Sequence, residues 1–191
     1  MPTAPITIMP GIFFQSLLRS AGIGANCYVL DTGMERIVLD AGMHPKAKGL
    51  ECLPDLRWLE DGTADAIIIT HAHLDHVGGL PVLMRRHPAA QVFMTDLTGD
   101  IADAMLHNSC NVMTFQRDQE GIREFPLFTH REVDVMERRW LKIREGKQDE
   151  AMTLLAESLK TNIANPASDQ VEFLIDELVK TLVPGKNAKV P

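Results

Sequence analysis

Residues 70–79 read THAHLDHVGG, with three histidines and one aspartate within six positions, from His71 to His76. His71 ends the apolar run ADAIIITH (64–71), which predicts a strand buried on both faces. Side chains two positions apart in an extended chain point to the same side, so the imidazoles of His71 and His73 are expected to converge. Converging imidazoles are typical zinc ligands. We therefore predict that this pair binds one metal ion.

Asp75 and His76 come where the chain turns towards a predicted helix, so we expect them to face away from the first pair. They can hold a second ion beside the first. Two ions about 3.5–4 Å apart can clamp a hydroxide and polarise an ester or phosphodiester. A chance cluster of hydrogen-bonded histidines is the alternative.

Asp40 ends a predicted strand just before Ala41 and Gly42. An aspartate in this position either orients a ligand histidine through its second ring nitrogen or simply closes a turn. Both interpretations of Asp40 stay open at this point.

The other four histidines carry a weaker signal. His87 precedes a proline at the end of a predicted helix, which suggests a helix C-terminal cap or a solvent-exposed ring. His107 and His130 could reach a site, but we expect a surface position for both, and the signal of His44 is equally weak.

The elements around the motif alternate between strand and helix. Strands are predicted at 26–31 and 37–40 as a hairpin, and then at 64–71 and 89–95; helices are predicted at 53–60 and 79–87 and from near Thr98. This order is typical of a layered α/β fold.

The chain changes character at about residue 145. A charged helix is predicted over 130–146, and amphipathic helices follow at 148–163 and 168–185. No strand is expected in the last fifty residues. We therefore predict two regions, 1–145 with the α/β pattern and 146–191 as a helical C-terminal segment.

Composition narrows the class of protein. The chain has 191 residues and a net charge of −7, which does not suggest a general polyanion binder. Cys27, Cys52 and Cys110 are widely spaced without a CxxC pair, as expected of reduced thiols in a cytoplasmic protein. No apolar run approaches the roughly 20 residues of a membrane span, and the first residues lack the basic region of a secretion signal.

HAHLDH (71–76) matches the HxHxDH motif of the metallo-β-lactamase fold superfamily, and VLDAGMHP (38–45) resembles its upstream aspartate motif with Asp40 as the acid. Within the superfamily, the chain is most similar to the β-CASP branch of RNA- and DNA-processing nucleases. The similarity runs over roughly residues 20 to 140. It is carried by GANCYVLD, DAIIITHAHLDHVGGLPVL, VFMTDLTGDIADAML and PLFTHREVD.

The resemblance implies an αβ/βα sandwich, two zinc ions and hydrolysis of RNA or another phosphodiester by a metal-activated water. His71 and His73 would bind the first ion, and Asp75 and His76 the second. Asp75 would also act in catalysis, because the family ties this aspartate to proton handling. Asp40 would support the ligands.

The family also uses a later Gly-His histidine, a bridging aspartate and a final histidine, whereas this chain has no Gly-His pair and no histidine after His130. We therefore expect the N-terminal half of the sandwich, a mixed sheet with helices, and fewer than two zinc ions per chain. Three functions stay open. They are a phosphodiesterase or ribonuclease completed by homo-oligomerisation, a non-catalytic truncated relic, and a scaffold that binds a protein partner through helices at 148–183.

Overall fold

The computed structural model describes residues 5–9, 11–19 and 24–144. The chain divides into two compact units, Met1–Lys142 and Ile143–Pro191, and the described residues belong almost entirely to the first. The helices predicted at 148–163 and 168–185 lie outside the described residues.

One mixed sheet of seven strands forms the centre of the first unit, and its strands lie in chain order from β1 to β7. Pairing is antiparallel from β1 to β4 and parallel from β4 through β5 to β6. The strands are β1 (Ile6–Met9), β2 (Ile12–Ser16), β3 (Tyr28–Asp31), β4 (Arg36–Leu39), β5 (Ala66–Ile68), β6 (Gln91–Thr95) and β7 (Trp140–Ile143).

Four α-helices complete the described part: α1 (Leu74–Val77), α2 (Leu80–Arg86), α3 (Asp96–Glu120) and α4 (His130–Glu137). The Thr95 side chain accepts a hydrogen bond from the Thr98 amide and caps α3, whose end is marked by Gly121 at φ 70°. Thr129 and Glu132 form a reciprocal capping box on α4. Among the described residues, no helix combines the length and apolar character that crossing a bilayer requires.

The sheet buries apolar side chains on both faces. A ladder of β-branched residues on one face, Val29, Val38, Ile67 and Val92, belongs to the same core as buried residues of α2 and α3. On the opposite face Ile37 is also buried, as the parallel pairing of β4 with β5 leads one to expect. This architecture confirms the predicted α/β class, a mixed sheet with helices.

Three expectations about elements are wrong. The segment 130–146 is not one helix, because α4 ends at Glu137 and β7 follows, with Trp140 buried and Leu141 exposed in the alternation of a strand. The helix predicted at 53–60 is a 3-10 turn at Leu56–Trp58. β1 and β2 were not predicted at all.

Candidate metal site

The candidate site lies at one edge of the sheet. Asp40 follows β4, and the THAH segment (70–73) follows β5, so both leave the carboxyl ends of parallel neighbouring strands. α1 then brings Asp75 and His76 back to this edge. Asn26 joins them, because β3 runs antiparallel to β4 and begins where β4 ends.

Asp40 is the anchor of the site. Only 3% of the residue is exposed, and its backbone has a φ of 59°, a left-handed conformation that is unusual for a residue with a side chain. Its amide donates to the Ile68 carbonyl at 2.9 Å, while its carboxylate accepts from the Thr70 amide at 2.8 Å and lies 2.7 Å from His76 Nδ1. These bonds hold the strained backbone in place, as is common at functional sites.

The hydrogen bonds around Asp40 assign the protonation of two imidazoles. His76 Nδ1 must carry the proton that it donates to the Asp40 carboxylate, so its Nε2 keeps a lone pair. The Thr70 hydroxyl lies 2.9 Å from Asp40 Oδ2 and donates to it, so it accepts from His71 Nδ1, also 2.9 Å away. His71 Nε2 therefore keeps a lone pair as well. Both rings are in the tautomer that binds metal through Nε2.

The four predicted ligands come together in one cluster. His71 Nε2 lies 3.2 Å from His73 Nδ1, and His76 Nε2 lies 3.7 Å from Asp75 Oδ2. The rings of His71 and His76 are 3.9 Å apart between centroids. The expectation that Asp75 and His76 face away from the first pair therefore does not hold, because the turn into α1 swings His76 against His71.

The crowding has an electrostatic consequence. Burial lowers the pKa of the His71 imidazole, and the neighbouring rings of His76 and His73 lower it further. His71 is therefore held neutral, which is the state that a metal ligand needs.

Backbone contacts bring the three loops of the site together. The Asn26 and Met43 amides donate to the carbonyls of Asp75 and Leu74, both at 2.8 Å. Gly42 lies so close to α1 that a Cβ on it would lie 1.8 Å from the Asp75 carbonyl oxygen. Only glycine allows this approach.

The side chains of the cluster are of the types that bind zinc, but each pair supplies only two of the ligands that one zinc ion needs. Imidazole nitrogen and carboxylate oxygen are zinc donors, and two ligands of a tetrahedral ion lie about 3.3 Å apart when each is about 2.0 Å from the metal. The spacings of 3.2 Å and 3.7 Å are close to that value. Within the described ranges, however, no three His, Cys, Asp or Glu side chains are grouped as one ion requires. The described part offers two pairs of donors.

The remaining histidines and cysteines lie elsewhere. His87 follows α2 as its C-cap, but its ring is fully buried and its Nδ1 accepts from the Ala64 amide, so the expected solvent exposure is wrong. All three cysteines are free and buried, in keeping with the predicted reduced thiols. Burial raises the pKa of Cys52 and of Cys110 to about 11, and these thiols therefore stay protonated at neutral pH.

His107 and His130 form a second histidine cluster, on α3 and α4. Their Nδ1 atoms are 2.7 Å apart, and His107 Nε2 lies 3.4 Å from both Asp103 and Asp134. All these side chains are partly exposed, in agreement with the surface position expected for the two rings.

Two contributors to the site were missed from the sequence. Thr70 stands directly before the motif, so its adjacency was a usable signal. Asn26 stands far from it, and its Nδ2 reaches His76 Nε2 at 3.0 Å across 50 positions of sequence. No local pattern marks that contact.

Comparison with protein families agrees with this geometry. Residues 21–104 match the model of the metallo-beta-lactamase superfamily, which spans Asn26, Asp40 and the HAHLDH segment. The N-terminal part of this chain is therefore a metallo-beta-lactamase superfamily domain.

The domain is distantly similar to endoribonucleases that are named YSH1 or cleavage and polyadenylation specificity factor 73. Endoribonuclease ysh-1 of Neurospora crassa is 31% identical over 112 residues, which cover 58% of this chain and 13% of that protein. Cleavage and polyadenylation specificity factor 73 of Drosophila melanogaster is 34% identical over 98 residues, 51% of this chain and 14% of that protein. The matched region thus corresponds to about one seventh of these relatives.

Among solved structures, the metallo beta lactamase from Hirschia baltica is 21% identical to this chain, with a TM-score of 0.38. That superposition covers 55% of this chain and 48% of the lactamase.

Proposed function

We propose that this chain acts as a metal-dependent hydrolase of phosphodiesters, with single-stranded RNA as the substrate class. The observation that carries the proposal is the cluster at the sheet edge. His76 Nε2 lies beside the Asp75 carboxylate and His71 Nε2 beside His73 Nδ1, and the buried Asp40 is bonded to His76, whose ring packs against that of His71. The similarity to endoribonucleases supports RNA as the substrate.

Each residue has a distinct part in the proposed reaction. His71 and His73 would hold one zinc ion and Asp75 and His76 a second, and a bound zinc lowers the pKa of water towards neutrality. Asp75, which is partly exposed, takes up the proton of the attacking water at its carboxylate. Asp40 and Thr70 keep the two imidazoles in their metal-binding tautomer. We infer that a second copy of the chain supplies the further donor that each ion needs.

The pairs of two donors also favour an alternative, a relic that keeps the fold but binds zinc too weakly for catalysis. The scaffold function proposed for helices at 148–183 lies outside the described residues. Both alternatives would leave the chain without hydrolytic activity, so one assay separates them from the enzyme. We place all three functions in the cytoplasm, on the evidence of the unpaired cysteines.

The test is cleavage of a labelled single-stranded RNA by the purified full chain with added zinc. His73→Ala and the surface variant His107→Ala serve as a matched pair. We expect cleavage by the wild type and by His107→Ala, and at least a hundredfold loss in His73→Ala. Equal cleavage by all three proteins would identify a contaminating nuclease and overturn the proposal. No cleavage by any of them would favour the relic.

A further inference from the structure

Asn26 lies inside the candidate site without being one of the predicted ligands. Its Nδ2 atom is 3.0 Å from His76 Nε2 and 3.2 Å from Asp75 Oδ2, and these two atoms are 3.7 Å from each other. The three atoms form a triangle with sides close to the spacing of about 3.3 Å between ligands of one tetrahedral zinc ion. Asn26 therefore stands at the third corner of a ligand set.

At this corner Asn26 presents a hydrogen-bond donor, whereas a cation needs an atom with a free lone pair. The Tyr28 hydroxyl lies 3.2 Å from Asn26 Oδ1, and the carbonyl oxygens of Gly24 and Asp75, which can only accept, identify the other end of the amide as the nitrogen. His76 Nε2 carries a lone pair, because Nδ1 of the same ring donates to Asp40. The Asn26 amide thus donates a hydrogen into the lone pair with which His76 would bind a metal.

The amide also has other acceptors close by. Its Nδ2 lies 3.0 Å from the Asp75 carbonyl oxygen and 3.3 Å from that of Gly24, so four acceptors surround two hydrogens. The amide can therefore give up its bonds to the His76 and Asp75 side chains and still donate both hydrogens to backbone.

We propose that Asn26 sets the cation affinity of the Asp75 and His76 pair: it occupies the third ligand position with a neutral donor, which limits the pair to two ligands. The inference rests on the proposed metal-dependent function of this cluster. It also accounts for the lack of a group of three His, Cys, Asp or Glu donors at this edge, within the described residues.

The decisive variant is Asn26→Asp, because aspartate has the same shape and replaces the donor by a negatively charged ligand atom. Zinc binding to the full chain is measured by competition with a chromophoric chelator. We expect affinity to rise at least tenfold. In the metal-free protein the new carboxylate faces Asp75, so we also expect a lower melting temperature without zinc and a larger increase on adding it. If Asn26 only supported the loops, its replacement by aspartate would not raise the zinc affinity.

Two controls keep the test decisive. Asn111→Asp adds the same charge beside another histidine, since Asn111 Oδ1 lies 3.2 Å from His130 Nε2, and we expect no change in zinc affinity. Asn26→Ala removes the competing hydrogen without adding a ligand, and its affinity should be at least that of the wild type. If Asn26→Asp does not fold, a tenfold loss of affinity in Asn26→Ala would overturn the inference on its own.

The outcomes for Asn26 and for the enzymatic proposal can be told apart, because zinc binding needs no substrate. Tighter binding in Asn26→Asp without RNA cleavage by the wild type would support the role of Asn26 and contradict the hydrolase. Cleavage by the wild type with unchanged or weaker zinc binding in Asn26→Asp would support the hydrolase and contradict the role of Asn26.

Discussion

Two histidine clusters in this chain contain similar groups in very different settings. At the sheet edge, the ring of His71 lies between those of His73 and His76, with centroids 4.8 Å and 3.9 Å away, while on α3 and α4 the rings of His107 and His130 stack with centroids 5.0 Å apart. Both clusters contain carboxylates. What separates them is the carboxylate that orients the rings.

At the sheet edge that carboxylate is Asp40, which is 3% exposed and bonded to backbone as well as to His76. At the helix pair, Asp103 and Asp134 have side chains that are 42% and 59% exposed. An exposed pair of charges is screened by water and contributes little to orientation. Burial of the orienting acid, more than the number of histidines, therefore distinguishes the two clusters.

The largest expected effect tests whether the sheet-edge cluster depends on close backbone packing. Gly42→Ala would place a Cβ 1.8 Å from the Asp75 carbonyl oxygen, so we expect a loss of more than about 4 kcal/mol in the free energy of unfolding, or no folded protein. Urea unfolding followed by circular dichroism measures this.

Gly62→Ala is the matched control for Gly42→Ala. Gly62 has a φ of 76° but no neighbour within 4 Å of a Cβ, so the cost is the backbone strain of about 1–2 kcal/mol. Similar losses in the two variants would mean that the contact between Gly42 and α1 is not tight.

The next effect tests the orienting acid directly. Asp40→Asn removes the anion that fixes the His76 tautomer, and we expect zinc affinity to fall about 10–100-fold. Asp134→Asn makes the same change at the helix pair and should leave zinc affinity unchanged. Equal effects in the two variants, measured by chelator competition, would remove the distinction between the clusters.

A smaller effect is expected at Glu35, which like Asp40 is a deeply buried acid. Both Glu35 carboxyl oxygens are buried without a hydrogen-bond partner, and burial raises the pKa of this group to about 7. The unfolded chain releases that proton near pH 4.5, so folding stability falls as pH rises from about 4.5 to 7. Glu35→Gln should therefore raise stability at pH 8 by on the order of 1 kcal/mol, with little change at pH 4.5. Urea unfolding at both pH values checks this, and an equal gain at the two would contradict it.

The smallest effect is expected at the helix pair itself. His107→Ala and His130→Ala remove partly exposed groups, so each should change the free energy of unfolding by less than about 0.5–1 kcal/mol. Thermal melts of the two variants measure the change. A loss above about 2 kcal/mol would show that this cluster is also a structural anchor.

The elements that were predicted from the sequence are those whose hydrophobic periodicity follows from the burial of their own side chains. The bounds of β3 to β6 and of α2 lie within three residues of the expected segments, because apolar runs and helical spacing follow directly from packing against one core. The segment WLKI (140–143) was assigned to a helix because the charged residues before it continue a helical pattern. It becomes a strand because the sheet offers Trp140 a buried place, and only tertiary structure reveals that.

The candidate site was predictable to the extent that its residues are adjacent in sequence. The HAHLDH motif is recognisable from its own spacing, and Asp40 was recognised as a residue that can orient one of its histidines. The tautomer assignment and the third corner at Asn26 depend on contacts across 30 to 50 positions, which no local pattern encodes. A polar residue in a loop has no sequence pattern that marks its contacts, so the contribution of a residue such as Asn26 is visible only in the folded structure.

The most direct test of the central claim measures zinc binding in three proteins: the wild type, His71→Ala/His76→Ala and His107→Ala/His130→Ala. We expect fewer than two zinc ions per chain in the wild type, the same content and affinity in the helix-pair variant, and at least a tenfold weaker affinity in the sheet-edge variant. Zinc binding that survives in the sheet-edge variant and disappears in the helix-pair variant would show that the metal site is not at the sheet edge.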